Sequence, residues 1–314
     1  MKTPTTHGNL DIPVKKLALA VAGCLSLASP AVLAGPLFNF TTCGATGALG
    51  PNQAACDSAY TATPLAGAVS VAGGIQSWTA VAGTYRITAT GAQGASAQSG
   101  RVGGRGARMV GDFLLPIDTL LQIAVGQAGM SDGSSGGGGG GSFVVAPGAI
   151  PMIIAGGGGG TRTSVLQNGC DAFTTALGGT GSSSANTWGC GQKAGAEGFG
   201  GIVSSSSWGS GGAGFFGNGV GEYTSANGGR SWANGLLGGG DTRYRAYGGF
   251  GGAGAGNGSA GGGGGGGYSG GDGGRIAGGA GSYNIGFNTL SFSGVGVGSG
   301  AVTIELLSAS GPGN

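Results

Sequence analysis

Three uninterrupted runs of glycine constrain what this chain can fold into. They are Gly136–Gly141, Gly156–Gly160 and Gly261–Gly267. Each run lies close to a compact apolar segment, namely Phe143–Val145, Pro151–Ile154 or the tail Leu290–Leu307. Glycine alone is typical of flexible linkers, whereas glycine interleaved with strand-like apolar segments indicates ordered backbone that packs against a core.

The composition argues that this chain is folded and not an intrinsically disordered protein. Glycine accounts for 83 of 314 residues and charged residues for only 8%, against roughly 7% and about 25% in ordinary globular proteins. Disordered chains combine low hydrophobicity with many charges and prolines, but here 39% of the residues are hydrophobic and 10 are proline. The apolar content is sufficient for one sizeable core, so we expect residues 35–314 to form a single composite domain.

Ordering a glycine backbone requires a compensating interaction. Each ordered residue loses roughly 1–2 kcal/mol of conformational entropy, and glycine has no side chain to bury. A polyproline II helix has no internal hydrogen bonds, so helices made of glycine can bond to one another laterally, which proline cannot do because it lacks the N–H donor. The sequence therefore predicts packed glycine helices in arrays at about 91–106, 133–160 and 248–282, with a flexible linker as the alternative.

The remaining apolar segments have the pattern of β-strands. Alternation with a period of two, typical of strands, occurs for instance in Gly83–Ala89 and Ala301–Leu307. We expect strands within about 37–125, 143–154 and 290–307, including a hairpin around Pro147–Gly148. No 11-residue window has a helical stripe, and residues 161–247 form an insert rich in serine and aromatic residues. The predicted fold class is all-β.

The first 34 residues have the features of an export signal. Lys15 and Lys16 precede the apolar stretch Leu17–Leu27, and small residues suit cleavage after Ala34. Lipoprotein anchoring at Cys24 is an alternative, and the form of the signal favours a bacterial source. We expect a secreted or cell-surface protein without a membrane span.

After cleavage the acidic and basic residues balance and one lysine, Lys193, remains, which argues against nucleic-acid binding.

Four cysteines remain after the predicted cleavage: Cys43, Cys56, Cys170 and Cys190. An even number in an exported protein predicts disulfides, and four cysteines allow three connectivities. Local pairing, Cys43 with Cys56 and Cys170 with Cys190, is favoured because both loops are of similar modest size. We expect no metal or other cofactor, since no histidine follows the signal.

Sequence motifs for catalysis are weak. Ser269 lies in a Gly-x-Ser-x-Gly pattern, but the one histidine of the chain is His7, so no base is available and we expect no enzymatic activity. Asp272 lies in a glycine-rich stretch similar to a calcium-binding repeat. Such repeats need a series of aspartates, however, and Asp272 stands alone. Asp112 and Asp118 flank a predicted strand and are expected to cap a turn.

Several segments together resemble a known extracellular domain. Phe38–Gly47, Gly74–Trp78, Gly83–Ile87, Ser142–Val145 and Gly300–Ile304 are similar to the glycine-rich domain of the anaplastic lymphoma kinase and leukocyte tyrosine kinase receptors. The resemblance implies a β-sandwich of the tumour-necrosis-factor-like type with an inserted bundle of glycine helices. It also implies protein binding outside the cell and not kinase activity. Residues 161–247 are the least similar part.

The aromatic insert supplies the candidate binding residues. Tryptophan, tyrosine and arginine are favoured anchors of protein interfaces, and we nominate Trp208, Trp232, Arg243 and Tyr244. Alternatively, these rings fill the seam between the glycine bundle and the sandwich. The sequence favours a non-enzymatic module that binds an extracellular protein or glycan. The alternative is a structural surface or matrix protein that self-assembles through its glycine faces.

Overall fold

The computed structural model describes residues 1–2, 35–98, 100–184, 189–193, 197–204, 209–240, 245–258 and 260–310. The chain divides into two compact units, Met1–Leu33 and Ala34–Asn314, and every strand and helix named below belongs to the second unit. Of the predicted export signal only Met1 and Lys2 are described, and Cys24 lies outside the described residues. No helix among the described residues is long and apolar enough to cross a membrane.

Within the described ranges, eleven strands form two antiparallel sheets. In chain order the strands are β1 (Leu37–Phe40), β2 (Ser70–Ala72), β3 (Ile75–Ala80), β4 (Gly83–Thr90), β5 (Gly106–Leu115), β6 (Thr119–Ala124), β7 (Ser142–Ala146), β8 (Ile150–Ala155), β9 (Tyr283–Asn284), β10 (Phe287–Gly296) and β11 (Ala301–Ala309). The first sheet has the order β1-β11-β4-β5-β10 and the second the order β2-β3-β6-β7-β8-β9. The hairpin around Pro147–Gly148 is formed by β7 and β8.

The two sheets pack face to face. Along β4 the side chains alternate, so that Tyr85 and Ile87 are buried while Arg86 between them is exposed, as expected for a strand with one face on a core. One cluster of buried residues joins these side chains to Leu121 of β6 and Ile153 of β8 in the other sheet. A shared core between two antiparallel sheets is the arrangement of a β-sandwich.

One short helix departs from the sequence-based expectation. Helix α1 (Gln53–Tyr60) begins after Asn52, whose side chain accepts a hydrogen bond from the backbone N–H of Ala55 at 2.9 Å, a standard N-cap. Its eight residues are shorter than the 11-residue window in which a helical stripe was sought, so the sequence did not predict this helix. Two 3-10 turns, Ser225–Asn227 and Trp232–Asn234, lie in the insert.

Both disulfides have the local connectivity. Cys43 is bonded to Cys56, with the Cα atoms 4.9 Å apart, and Cys170 to Cys190, with the Cα atoms 5.1 Å apart. The first bond ties α1 to the segment that follows β1. The second bond links two residues of the insert and lies in a small cluster in which Val165 and Cys170 pack against Ile276 of the last glycine array.

All three glycine runs are buried. The N–H groups of the first run donate to three neighbouring segments in rotation, with a period of three residues. Gly136 and Gly139 donate to carbonyls of segment 158–161, Gly137 and Gly140 to segment 127–130, and Gly138 and Gly141 to segment 251–254, at N–O distances of 2.7–3.0 Å. The runs are therefore interior backbone and not exposed linkers.

The third run repeats this rotation and joins the other two. Gly262 and Gly265 donate to segment 274–278, Gly263 and Gly266 to segment 136–139, and Gly264 and Gly267 to segment 210–213. The second run bonds to the first and the third in turn, because Gly158 accepts from Gly139 at 2.8 Å and Gly157 donates to Gly266 at 2.9 Å. The backbones approach so closely that a Cβ atom on Gly158 would overlap the carbonyl oxygen of Gly104.

Two aspartates have structural roles that the sequence did not predict. Asp112 lies within β5 and is 2% exposed, so the expectation that it caps a turn is wrong. Asp272 forms an ion pair with the Lys193 ammonium at 3.2 Å and accepts a hydrogen bond from the N–H of Ile202 at 2.9 Å. Its carboxylate is engaged by protein groups, which removes the basis for a calcium loop there.

Candidate functional site

A cleft of about 530 Å³ opens beside the glycine arrays. Its described lining residues are Thr46, Ala48, Leu49, Met130, Ala226, Arg230, Leu237, Gly238, Gly240 and Tyr247. They come from three parts of the chain: the loop after Cys43, the segment after β6, and the insert. The volume lies in the range of about 300–1,000 Å³ that is typical of ligand sites.

Hydrogen bonds hold the loop after Cys43, which carries the lining residues Ala48 and Leu49, in place. The backbone N–H of Gly238 donates to the carbonyl of Ala48 at 2.9 Å, and the Gln127 side-chain amide donates to the carbonyl of Leu49 at 2.9 Å. Phe250, which is fully buried, donates its backbone N–H to Gly47 at 2.7 Å. The loop that carries Leu49 is therefore held against the glycine arrays.

The other lining residues are held in the same way. The N–H of Met130 donates to the carbonyl of Tyr247 at 2.8 Å, and the N–H of Gly240 donates to Ala226 at 3.0 Å. The N–H of Arg230 donates to the carbonyl of Leu237 at 2.9 Å. Because the lining residues from all three parts of the chain are held by backbone hydrogen bonds, the cleft is formed before any ligand enters.

The cleft exposes large apolar side chains. Leu49 is 67% exposed, Met130 42% and Leu237 38%. A second depression of about 300 Å³ shares Leu49 and Leu237 with the cleft and extends it toward Val71. Apolar side chains gathered at one place on a surface are typical of a binding site.

The charge of the described lining is positive. Arg230 is half-buried, and among the described residues its guanidinium takes part in no ion pair or hydrogen bond. The described lining contains no aspartate or glutamate. Tyr247, also half-buried, adds a phenol. The arrangement offers apolar contact, one guanidinium group and one phenol hydroxyl.

Of the four nominated residues, Trp232 is described and is not part of this cleft. Its ring stacks on Phe215 with centroids 5.7 Å apart and lies 6.0 Å from the ring of Phe143 in β7. Trp208, Arg243 and Tyr244 lie outside the described residues. They stay predictions.

The aromatic rings around Trp232 fill the boundary between the second sheet and the glycine arrays. A buried cluster joins Phe143 of β7 and Ile154 of β8 to Phe215, Phe250 and Tyr268. Glycine supplies no side chains, so these rings provide the apolar contact that the arrays lack. The seam interpretation thus describes this part of the insert.

The motif candidates do not form a site. Ser269 is fully buried, and its Oγ accepts a hydrogen bond from the N–H of Gly198 at 2.8 Å. In the part of the chain that the structure describes, no three His, Cys, Asp or Glu side chains come together as metal ligands.

Sequence reasoning missed the cleft because its residues carry no shared motif. Leu49, Met130 and the nearby pair Arg230 and Leu237 come from three separate parts of the chain, which the fold brings to one cleft. The sequence offered one signal, namely large apolar residues outside the predicted strand regions, such as Met130 and Leu237.

The comparisons with known proteins include a match to a receptor. No protein-family model matches the chain. A segment of 109 residues, 33% of this chain, is 38% identical to the leukocyte tyrosine kinase receptor of Mus musculus. The match spans 12% of the receptor's length. It supports a possible relationship to that receptor and nothing finer, and it gives no support to a bacterial source.

Proposed function

We propose that this chain is a secreted or cell-surface, non-enzymatic binding module that recognises an extracellular protein, or a glycan, in the cleft. The observation that carries the proposal is the gathering of exposed Leu49, Met130 and Leu237 on backbone that is bonded in place on both sides. A preformed apolar cleft binds without the cost of ordering its own walls.

Three observations support a location outside the cell. The two disulfides suit an oxidising compartment. The 109-residue segment is similar to a receptor. Residues 1–34 have the order of a signal peptide, with Lys15 and Lys16 before an apolar stretch.

The framework is proposed to be one composite domain over residues 35–314, a tumour-necrosis-factor-like sandwich with an inserted bundle of glycine helices. The rotation of hydrogen bonds through three neighbours, seen in Gly136–Gly141 and Gly262–Gly267, supports a helix of three residues per turn, as in polyproline II. The shared core of the two sheets supports the sandwich.

Two of the alternatives are not favoured. Catalysis at Ser269 lacks support because its Oγ is buried and already accepts a hydrogen bond. Self-assembly through the glycine faces would need exposed glycine, but the three runs are buried inside the domain. Binding through side chains at the cleft requires neither an accessible Ser269 hydroxyl nor exposed glycine runs.

The proposal is tested with a variant that places charge in the cleft. The double substitution Leu49→Asp and Leu237→Asp is compared with Leu114→Asp as a control, since Leu114 is 68% exposed on β5 and does not line the cleft. Labelled proteins are applied to an array of extracellular proteins and glycans.

We expect the wild-type and Leu114→Asp proteins to bind the same partner. The cleft variant should bind it at least about 30-fold more weakly, the effect of losing an interface hot spot. Equal binding by the cleft variant would place the site elsewhere. Absence of any partner at high concentration would contradict the proposal as a whole.

A further inference from the structure

We infer that a surface of the insert, separate from the cleft, binds a polypeptide segment that is rich in proline and carries a basic residue next to the prolines. The surface consists of Phe199, Ile202, Phe216 and Val220, called the outer patch below. Their side chains are 53%, 55%, 58% and 49% exposed, and none of them belongs to the described lining of the cleft. The inference therefore adds a second binding surface to the proposed function.

Backbone hydrogen bonds fix the spacing of two residues in the outer patch. The carbonyls of Phe199 and Ile202 accept hydrogen bonds from the N–H groups of Gly270 and Gly273, each at 2.9 Å. The two residues thus hold equivalent positions in a repeat of three. In the polyproline II helix proposed for the framework, residues three apart lie on one face, about 9.3 Å from each other. Phe199 and Ile202 therefore form two apolar contact points along one side of their segment.

A neighbouring segment adds the other two residues of the outer patch. The N–H of Phe216 donates to the carbonyl of Gly198 at 2.8 Å, and the N–H of Val220 donates to that of Gly201 at 2.9 Å. The rings of Phe199 and Phe216 lie with their centroids 6.5 Å apart. The outer patch thus has an aromatic end, formed by these two rings, and an aliphatic end.

The spacing of the two contact points matches one kind of polypeptide. A polyproline II ligand presents every third residue on one face, again about 9.3 Å apart. A β-strand repeats on one face after about 6.7 Å, and an α-helix rises about 5.4 Å per turn. A polyproline II segment along residues 198–202 can therefore place one proline on each end of the outer patch. Aromatic surfaces recognise proline-rich segments in this conformation.

The backbone beneath the outer patch favours a ligand without N–H groups. Four carbonyls already accept hydrogen bonds from other segments, namely those of Gly198, Phe199, Gly201 and Ile202. An ordinary peptide that covered this surface would bury N–H groups that these carbonyls cannot satisfy, which costs binding free energy. Proline has no backbone N–H, so a proline-rich segment covers the surface without that loss.

The area of the outer patch suits a peptide and not a second copy of this chain. A phenylalanine ring buries about 150–250 Å², so four side chains that are half exposed offer on the order of 400 Å². A stable complex of two folded proteins needs about 800 Å² from each partner. The outer patch alone is too small for such a complex.

The charge around the outer patch is negative. Residues 197–223 include Glu197 and Glu222 and contain no lysine or arginine. Burial is the largest cause that raises the pKa of Tyr268, and the charges of Tyr283 and Glu197 raise it further. Since the Tyr268 ring lies 6.2 Å from that of Phe216, the exposed Glu197 carboxylate is near the aromatic end. A basic residue beside the prolines would be attracted there.

Three matched peptides test the class of ligand. Acetyl-Arg-hexaproline-amide is compared with acetyl-Arg-hexaglycine-amide, which lacks the rings, and with acetyl-Glu-hexaproline-amide, which reverses the charge. Each is titrated into the full chain by calorimetry, and the NMR signals of the Ile202 methyl groups report where it binds.

We expect the arginine–hexaproline peptide to bind at least about 10-fold more tightly than the hexaglycine peptide, because glycine loses more conformational freedom on binding. It should bind about 2- to 5-fold more tightly than the glutamate peptide, the range of an exposed ion pair. The Ile202 methyl signals should shift during the titration.

Phe199→Ser with Ile202→Ser removes both contact points. We expect this variant to bind the arginine–hexaproline peptide at least about 10-fold more weakly, as for the loss of interface anchors. The matched control is Phe292→Ser with Leu290→Ser on β10, at positions that are 47% and 59% exposed, and it should bind as the wild type does. Phe216→Ala is an independent variant and should weaken binding at least about 5-fold. Unaltered circular dichroism and melting of each variant exclude an effect through misfolding.

The inference is contradicted if the hexaglycine or the glutamate peptide binds as tightly as the arginine–hexaproline peptide, or if that peptide does not bind the wild type. Wild-type affinity in Phe199→Ser with Ile202→Ser, or in Phe216→Ala, also contradicts it. Cellohexaose is titrated as a glycan probe, and a shift of the Ile202 signals by cellohexaose alone would assign the surface to glycans instead. The cleft variant Leu49→Asp with Leu237→Asp should bind the peptide as the wild type does, so failure of the proposed function is distinguishable from failure of this inference.

Discussion

The Arg86 guanidinium and the Asp112 carboxylate meet at two points across β4 and β5. The Nε–Oδ1 distance is 2.8 Å and the Nη2–Oδ2 distance is 3.0 Å. Asp112 is 2% exposed, whereas 43% of the Arg86 side chain remains in contact with solvent. The Asn288 side-chain amide adds a third hydrogen bond to Oδ2 at 3.0 Å. A buried carboxylate is thus kept ionised by its neighbours.

Removal of this carboxylate should destabilise the sandwich. Asp112→Asn is expected to lower the free energy of unfolding by about 1–3 kcal/mol at pH 7, because the two hydrogen bonds from Arg86 lose their charged acceptor. Urea unfolding measures the change. Asp118→Asn is the control, since Asp118 is exposed in the turn after β5, and Asn tolerates its positive φ of 58°. Equal stability of the two variants would contradict the role of Asp112.

The same pair predicts a dependence on pH. The hydrogen bond from Arg86 is the largest cause that lowers the pKa of Asp112 below its ordinary value. A carboxyl group with a lowered folded-state pKa stabilises the fold above its unfolded pKa of about 3.9, and this stability is lost as the pH falls through the folded value. The wild-type protein should therefore progressively lose its advantage over Asp112→Asn as the pH falls below about 4. A constant difference over that range would show that Asp112 does not titrate as described.

Close backbone approach in the glycine arrays can be tested with one methyl group. Gly158→Ala should destabilise the protein by about 3 kcal/mol or more, because its Cβ would overlap the carbonyl oxygen of Gly104. Gly191→Ala is the control, since the nearest atom to a Cβ there is the Thr180 hydroxyl at 3.4 Å. Thermal melting compares the two. Similar melting temperatures would mean that the arrays are looser than described.

Two adjacent phenylalanines give a test of the aromatic seam. Phe215 is 3% exposed and stacks on Trp232, whereas Phe216 is 58% exposed. Phe215→Ala should cost about 3–5 kcal/mol, the usual cost of truncating a buried ring, and Phe216→Ala less than about 1 kcal/mol. Chemical denaturation followed by Trp fluorescence distinguishes them. The reverse order would show that the seam is packed differently.

The strands were predictable because they follow local alternation. In β4 the buried Tyr85 and Ile87 alternate with outward Thr84 and Arg86, and this period of two is visible in the sequence. Helix α1 was missed because its eight residues are too few for a stripe and its start depends on the Asn52 cap. A local pattern predicts an element only when the element is long enough to repeat it.

The arrays and the cleft depend on distant contacts. Which segments neighbour a glycine run could not be predicted, because Gly158 and Gly104 meet through backbone atoms that every glycine shares. Composition likewise gives no means to tell buried Phe215 from exposed Phe216. Arg230 and Leu49 meet only once the arrays have brought the insert beside the first loop. Trp232, nominated for an interface, packs on Phe215 and Phe143, and its role in binding stays a prediction.

Hydrogen exchange at the glycine amides tests the central claim of ordered, hydrogen-bonded glycine backbone most directly. The amides of Gly137–Gly140, Gly157–Gly160 and Gly263–Gly266 all donate to backbone carbonyls within the fold, so they should exchange slowly, as the paired amides of β4 do. The exposed turn glycine Gly148 serves as the fast-exchanging reference. Protection of the three runs close to that of β4 is the predicted result. Exchange as fast as at Gly148 would contradict the account and return these glycines to the role of linkers.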